Sequence, residues 1–236
     1  MKISGGKSIY GASVGILMLD ARFPRIPGDM GNATTWLFPV LYRVVRNATP
    51  DLVVRKGAIG TLAPFINAAQ DLVRDGADGI TTNCGFLSLF QEELADAVGV
   101  PVATSSLMQV AMVNRLLPNG KRAGILTISA STLTAKHLER AGVPEGTPVG
   151  STESGREFTR VILGNEMELD VDLARQDNVE AAIALRDANP DIGAIVLECT
   201  NMVPYAADIR AATGLPVFSI YNFVSWFQDG LTPIKF

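Results

Sequence analysis

The chain contains two cysteines, Cys84 and Cys199, and both stand in the same kind of local sequence. An apolar segment precedes each cysteine, a helical segment follows it, and Gly-Val-Pro or Gly-Leu-Pro closes the unit. Fifteen residues separate Cys84 from Gly99, and fifteen also separate Cys199 from Gly214. A thiol between a strand and a helix meets unpaired N–H groups and the positive end of the helix dipole, so we expect its pKa to fall. The repeat therefore predicts two reactive thiols in equivalent positions.

Two such thiols on opposite sides of a cleft could move protons at the carbon next to a carboxylate. One thiolate would remove the α-proton, and the opposite thiol would deliver a proton to the other face. N–H groups after each cysteine would bind the carboxylate, and hydroxyl groups would help to stabilise the enolate. With Cys84 and Cys199 as the catalytic pair, the predicted substrate-binding residues are Asp20, Asn83, Gly85, Phe86, Thr127, Ser129, Thr200 and Asn201.

The repeat extends beyond the cysteines. Gly15-Ile16-Leu17 aligns with Gly124-Ile125-Leu126, 109 positions later, and the cysteines align 115 positions apart. Continuous apolar runs alternate with helical segments twice over, which predicts an α/β fold of two pseudo-symmetric lobes, each a parallel sheet flanked by helices. Ligands of such sheets bind at the carboxyl ends of the strands, so we expect the active site in the cleft between the lobes. The predicted lobes are residues 1–104 with 219–236, and 105–218.

Several local predictions can be compared directly with a structure. Ser13–Asp20 is an apolar run that predicts a buried strand, and the Pro- and Gly-rich stretch after it predicts a long functional loop. Thr34–Arg46 could form a helix interrupted by Pro39, and Leu52–Arg55 is a candidate strand. Val143–Gly155 is expected to be an irregular link. His137, the one histidine, is expected on an exposed helix face, away from catalysis.

Composition excludes several classes of protein. The 236 residues are 47% hydrophobic with a net charge of −4, which predicts a globular chain. The absence of a basic cluster argues against nucleic-acid binding, and the short, interrupted apolar runs argue against a membrane span. The N-terminus lacks the features of a signal peptide, so we expect a cytoplasmic protein with both cysteines as free thiols. No metal site is expected.

Two motifs resemble those of a known family. TTNCGF (Thr81–Phe86) and LECTNMVPY (Leu197–Tyr205) are similar to the paired cysteine motifs of the aspartate/glutamate racemase superfamily. The resemblance implies two pseudo-symmetric lobes, no cofactor and a homo-oligomer, expected to be a dimer. Glutamate racemases have Asn-Thr after the first cysteine and usually Asp-Ser-Gly after the first strand, whereas this chain has Gly85-Phe86 and Asp20-Ala21-Arg22. The long Asp20–Gly31 loop looks closer to the dimethylsulfoniopropionate lyases of the superfamily.

These observations predict an isomerase, namely a cofactor-independent racemase or epimerase acting on an amino acid or related small carboxylate through Cys84 and Cys199. One alternative is a lyase or decarboxylase on the same scaffold, which would use a cysteine and a carbanion intermediate. The other alternative is a binding protein with a cleft between its lobes and no turnover. Glu198, next to Cys199, could pair with a cation or lie buried between the lobes.

Overall fold

The computed structural model describes residues 2–235 and contains two four-stranded parallel sheets. The strands are β1 Val14–Leu19, β2 Val40–Val45, β3 Gly79–Thr82, β4 Val102–Ala103, β5 Arg122–Thr127, β6 Val149–Ser151, β7 Ile192–Leu197 and β8 Val217–Phe218. The α-helices are α1 Leu62–Asp75, α2 Gln91–Val98, α3 Val110–Leu116, α4 Ala135–Arg140, α5 Phe158–Gly164, α6 Val171–Ala188, α7 Ala206–Thr213 and α8 Ile220–Leu231. The predicted α/β fold is therefore confirmed.

The two sheets have the same topology. Their strand orders are β2-β1-β3-β4 and β6-β5-β7-β8, so each sheet places its second, first, third and fourth strands side by side. The strands β1 and β7, one central strand from each sheet, are apolar because helices cover both faces of the sheets. Every residue of β1 is buried, as is most of β7. The aligned segments occupy equivalent positions, since β1 and β5 are the first strands, and β3 and β7 carry the cysteines at their carboxyl ends.

The cysteine units also match in detail. Each cysteine precedes a six-residue 3₁₀ helix, Gly85–Phe90 or Thr200–Tyr205, and an eight-residue α-helix continues from it. Each α-helix ends at a glycine in the left-handed region, with φ of 67° at Gly99 and 71° at Gly214. Glycine adopts this conformation without a Cβ penalty, which accounts for the glycine fifteen residues after each cysteine.

Two predictions between residues 34 and 55 are wrong. The proposed helix Thr34–Arg46 is a short 3₁₀ turn, Ala33–Thr35, followed by β2, which pairs in parallel with β1. The β-branched residues of β2 favour an extended edge strand whose outer face is partly exposed. The proposed strand Leu52–Arg55 is a π-helical turn, Asp51–Arg55, that begins after Pro50.

Further differences lie in the second half of the chain. The link Val143–Gly155 contains β6, a short edge strand beside β5. His137 is only 2% exposed and packs edge-on against Phe86 with ring centroids 5.0 Å apart, so the expected surface position is wrong.

At the carboxyl end, α8 packs apolar side chains against β1 of the first sheet. Among the residues that the structure describes, no helix combines the length and apolar composition needed to cross a bilayer.

Candidate active site

Both cysteines line one cavity between the carboxyl ends of the two sheets. Its volume of about 20 Å³ has room for about one water molecule, so a larger ligand requires the walls to move apart. The polar part of the lining comes from the two cysteine units, and the remainder is mainly aliphatic or aromatic. The lining residues are Leu19, Phe23, Pro50, Val54, Cys84, Gly85, Phe86, Ile128, Ile162, Leu163, Glu198, Cys199, Thr200 and Asn201.

Cys84 is buried at the start of its 3₁₀ helix. Burial raises the pKa of the Cys84 thiol, and the negative charge of Glu198 raises it further. The backbone N–H groups of Phe86 and Leu87 and the charge of Arg25 act in the opposite direction. The predicted fall in the pKa of Cys84 is therefore absent in the closed cavity, although the N–H groups at the helix N-terminus do lower this pKa.

Cys199 occupies the equivalent position under a different electrostatic balance. Burial raises the pKa of its thiol, and the charge of Glu198 adds to the effect; the Asn201 N–H opposes it, and Asp29 contributes a further rise. The Cys199 Sγ also lies 3.6 Å from Asn201 Oδ1. Asn201 Nδ2 in turn donates to Asp29, which brings the long loop of the first lobe into contact with the second cysteine unit.

Glu198 is a fully buried carboxyl group between the two cysteine units. Thr127 Oγ1 donates to its Oε2 at 2.6 Å, whereas its Oε1 is buried without a hydrogen-bond partner. Burial raises the pKa of Glu198 to about 7, against hydrogen bonds from Thr127 and the Ile128 backbone that lower it. The carboxyl group is close to Gly85, where an added Cβ would lie 2.2 Å from Oε1. Position 85 therefore has to be a glycine while Glu198 lies there.

We expect this carboxyl group to make the stability of the protein fall as the pH rises. Its pKa is about 7 in the folded state and 4.5 ordinarily, so between these values the unfolded state gains charge that the folded state lacks. The loss begins near pH 4.5, is complete above pH 7 and amounts to about 3 kcal/mol. Urea unfolding at pH 5 and pH 8 should show Glu198→Gln gaining stability over the wild type at the higher pH. An equal difference at both pH values would contradict the shift.

The structure places the sequence-predicted residues differently with respect to the cavity. Four of the eight predicted substrate-binding residues line it: Gly85, Phe86, Thr200 and Asn201. The Thr200 hydroxyl donates to the Asn83 backbone oxygen at 2.6 Å and so links the two cysteine units. Thr127 lies behind Glu198 and bonds to it rather than reaching the cavity.

The other three predicted side chains do not line the cavity and have protein partners. Asn83 Oδ1 accepts from the Leu19 backbone N–H at 2.8 Å and holds β1 beside β3. Asp20 accepts from the Asn47 backbone N–H at 3.0 Å. Ser129 donates to Glu153 Oε1 at 2.8 Å. Their substrate contacts stay predictions that would require the site to rearrange.

Sequence reasoning left out two parts of the site. The apolar wall includes Pro50 and Ile162, which lie far apart in sequence from both cysteine units and carry no chemical signature. Asp29 lies in the loop that the sequence predicts to be functional, but only the fold brings it to Asn201. The sequence indicated only Glu198 as a further site residue, because a charged residue directly before a predicted catalytic cysteine is unusual.

The comparison with known proteins gives sequence relatives of one kind. No family model matches the chain. A dimethylsulfoniopropionate lyase of Durusdinium sp. clade D is 29% identical over 235 residues, covering 94% of this chain and 76% of the relative. Dimethylsulfoniopropionate lyase 7 of Emiliania huxleyi is 29% identical over 240 residues, covering 93% of this chain and 67% of the relative.

Solved structures agree on the fold. An unliganded arylmalonate decarboxylase superposes with a TM-score of 0.57 at 17% identity, covering 95% of this chain and 94% of the other. A glutamate racemase of Bacillus anthracis superposes with a TM-score of 0.60 at 15% identity, covering 93% and 82%. The chain shares its fold with an arylmalonate decarboxylase and a glutamate racemase, and its sequence relatives are dimethylsulfoniopropionate lyases, in agreement with the superfamily that the cysteine motifs resemble. The resemblance inferred from the two cysteine motifs is thus confirmed.

The predicted isomerase is wrong. The sequence relatives are lyases, and they match over most of this chain, whereas the racemases share its fold at low sequence identity. The motifs around the cysteines could not separate the two activities, because racemisation and elimination both begin by removing an α-proton. The departure at Gly85-Phe86 and the long Asp20–Gly31 loop were the features that pointed away from glutamate racemase.

Proposed function

We propose that this protein is a lyase that removes an α-proton from a small carboxylate and expels a leaving group from the β-carbon, with dimethylsulfoniopropionate as the substrate. The observation that carries the proposal is a pair of buried thiols lining one cavity in a chain whose sequence relatives are dimethylsulfoniopropionate lyases. In this reaction the C2–H bond breaks, its electrons form the C2=C3 double bond, and the C3–S pair leaves with sulfur. The products are acrylate, dimethyl sulfide and a proton.

Cys84 is the better candidate for the base. Two backbone N–H groups, those of Phe86 and Leu87, and the charge of Arg25 favour its thiolate. At Cys199, one backbone N–H favours the thiolate while the charge of Asp29 opposes it. The Cys84 thiolate takes the C2 proton and releases it to solvent after the products leave. Cys199 also lines the cavity, and its role in this proposal is to position the substrate, because elimination needs no second proton delivery.

The 3₁₀ helices supply the donors for the substrate carboxylate. Gly85 and Thr200 are the first residues of these helices, where backbone N–H groups have no carbonyl partner within the helix. Both residues line the cavity. A carboxylate held between them places C2 close to the thiols and shares the developing enolate charge among fixed donors.

The proposal is tested by supplying dimethylsulfoniopropionate to the purified protein and measuring dimethyl sulfide in the headspace by gas chromatography, with acrylate measured by NMR. We expect the two products in equal amounts. In deuterium oxide, exchange at C2 of the remaining substrate reports whether the carbanion forms before the C–S bond breaks. Exchange at C2 without release of dimethyl sulfide would contradict elimination.

A further inference from the structure

Glu198 has an unsatisfied oxygen in the wall of the cavity. Its side chain is fully buried, Oε2 accepts from Thr127, and Oε1 has no partner. A buried carboxylate that lacks a partner is costly, and such groups are normally paired or hydrogen-bonded. None of the residues that line the cavity is Lys, Arg or His. A ligand in the cavity is placed to supply the missing partner.

The surrounding protein keeps this oxygen where it is. Gly85 supplies the space, because a Cβ there would lie 2.2 Å from Oε1 and 2.5 Å from the Glu198 backbone oxygen. Thr127 fixes the other oxygen at 2.6 Å. The carboxylate is thus packed on a glycine and held at the cavity wall by its neighbours.

The rest of the cavity suits methyl groups better than N–H donors. Its aliphatic and aromatic walls include Leu19, Phe23, Val54, Ile128 and Ile162, which have no side-chain acceptor. A primary ammonium has three N–H groups to satisfy, whereas a methylated onium ion has none and spreads its charge over its methyl groups. Aromatic faces attract such ions through the ring quadrupole. One buried carboxylate with apolar walls is therefore a complete set of contacts for a sulfonium or quaternary ammonium.

Arg25, whose charge acts on Cys84, does not already fill this role. Arg25 stacks over the ring of Phe23, with its guanidinium carbon 4.6 Å from the ring centroid. It is paired with Asp29 at 2.8 Å and does not line the cavity. The Glu198 charge is therefore left for a ligand.

We infer that Glu198 is the counter-ion for the cationic end of the substrate and selects carboxylates that carry a small methylated onium group. The carboxylate end of this assignment rests on the proposed function. The pairing has a consequence for the chemistry, because the charge of Glu198 opposes ionisation of both thiols. A bound onium ion offsets that charge and so favours the thiolate only when the correct substrate is present.

The test uses two carboxylates of the same shape, 3-(trimethylammonio)propionate and 4,4-dimethylpentanoate, in which the three methyl groups sit on a positively charged nitrogen or on a neutral carbon. Isothermal titration calorimetry gives their Kd values with wild type and with Glu198→Gln. In wild type, the cationic ligand should bind about ten-fold more tightly or better. In Glu198→Gln, that preference should fall to within about two-fold of unity, and the neutral ligand should bind as it does to wild type.

The matched control is Glu157→Gln, which neutralises another buried carboxylate that is paired with Arg160 and lies outside the cavity. It should leave the preference unchanged. If wild type binds the cationic and the neutral ligand with equal affinity, the inference is wrong. It is also wrong if Glu198→Gln folds and still prefers the cationic ligand. If the preference depends on Glu198 but wild type releases no dimethyl sulfide, the proposed reaction fails while the cation site stands. Release of dimethyl sulfide without the preference would support the reaction and overturn the cation site.

Discussion

Replacing Cys84 by serine should lower kcat/KM for release of dimethyl sulfide by about 10³-fold, because a serine hydroxyl is far too weakly acidic to act as the base. The change preserves the shape of the side chain, so the backbone donors of Phe86 and Leu87 remain in place. Binding of 4,4-dimethylpentanoate, which has no leaving group, should change by less than about three-fold, so the loss should appear mainly in kcat. Steady-state rates and calorimetric binding measured on the same preparation separate the two effects.

The second cysteine is the matched control for this prediction. Cys199→Ser changes the same atom in the equivalent position of the other lobe, and elimination requires no proton donor there, so a loss of about ten-fold is expected. An equal and complete loss in both variants would instead indicate that the thiols act as one unit, as in racemisation. A larger loss in Cys199→Ser would reverse the assignment of the base. Thermal unfolding of each variant checks that the buried substitution leaves the fold intact.

Sequence could predict the architecture because the constraint repeats along the chain. Buried parallel strands have to be continuously apolar. Each half also has a cysteine at the end of its third strand. The α-helix after each cysteine ends in the left-handed conformation, which favours glycine at positions 99 and 214. Both halves obey these rules independently, so each supported the interpretation of the other. The edge strand β2 was missed because its sequence is not repeated in β6, its counterpart in the second sheet, and because its residues are mostly half-buried.

The site could be predicted only as far as its repeated part. Residues 85, 86, 200 and 201 could be predicted from the cysteines, because they are the first two residues of the 3₁₀ helix that follows each cysteine. The cavity walls and the contact between Asp29 and Asn201 depend on how the two lobes meet, and no local pattern encodes that meeting. The direction of the thiol pKa shift was also missed, since burial in the closed cavity outweighs the effect of the helix N-terminus.

Replacing Gly85 by alanine should lower the free energy of unfolding by about 2–3 kcal/mol and also reduce activity severely. The new methyl group would lie 2.2 Å from Glu198 Oε1 and 2.5 Å from the Glu198 backbone oxygen, and neither distance is tolerated between non-bonded atoms. The carboxyl group can rotate only by giving up its bond to Thr127, and the backbone oxygen belongs to the end of the second sheet. Relief of the overlap must therefore separate the two cysteine units. Urea unfolding and the dimethyl sulfide assay measure both effects.

Gly230→Ala provides the control, because that position in α8 has no atom within 4 Å of an added Cβ, and alanine there should stabilise the helix by up to about 1 kcal/mol. A double-mutant cycle then identifies what Gly85 makes room for. Removing the carboxyl group with Glu198→Ala relieves one of the two overlaps but leaves the backbone oxygen. Gly85→Ala should therefore cost about 1 kcal/mol less in the Glu198→Ala background than in wild type. Strict additivity would mean that the glycine serves the backbone alone, and the link between Gly85 and the placement of the Glu198 carboxylate would then be wrong.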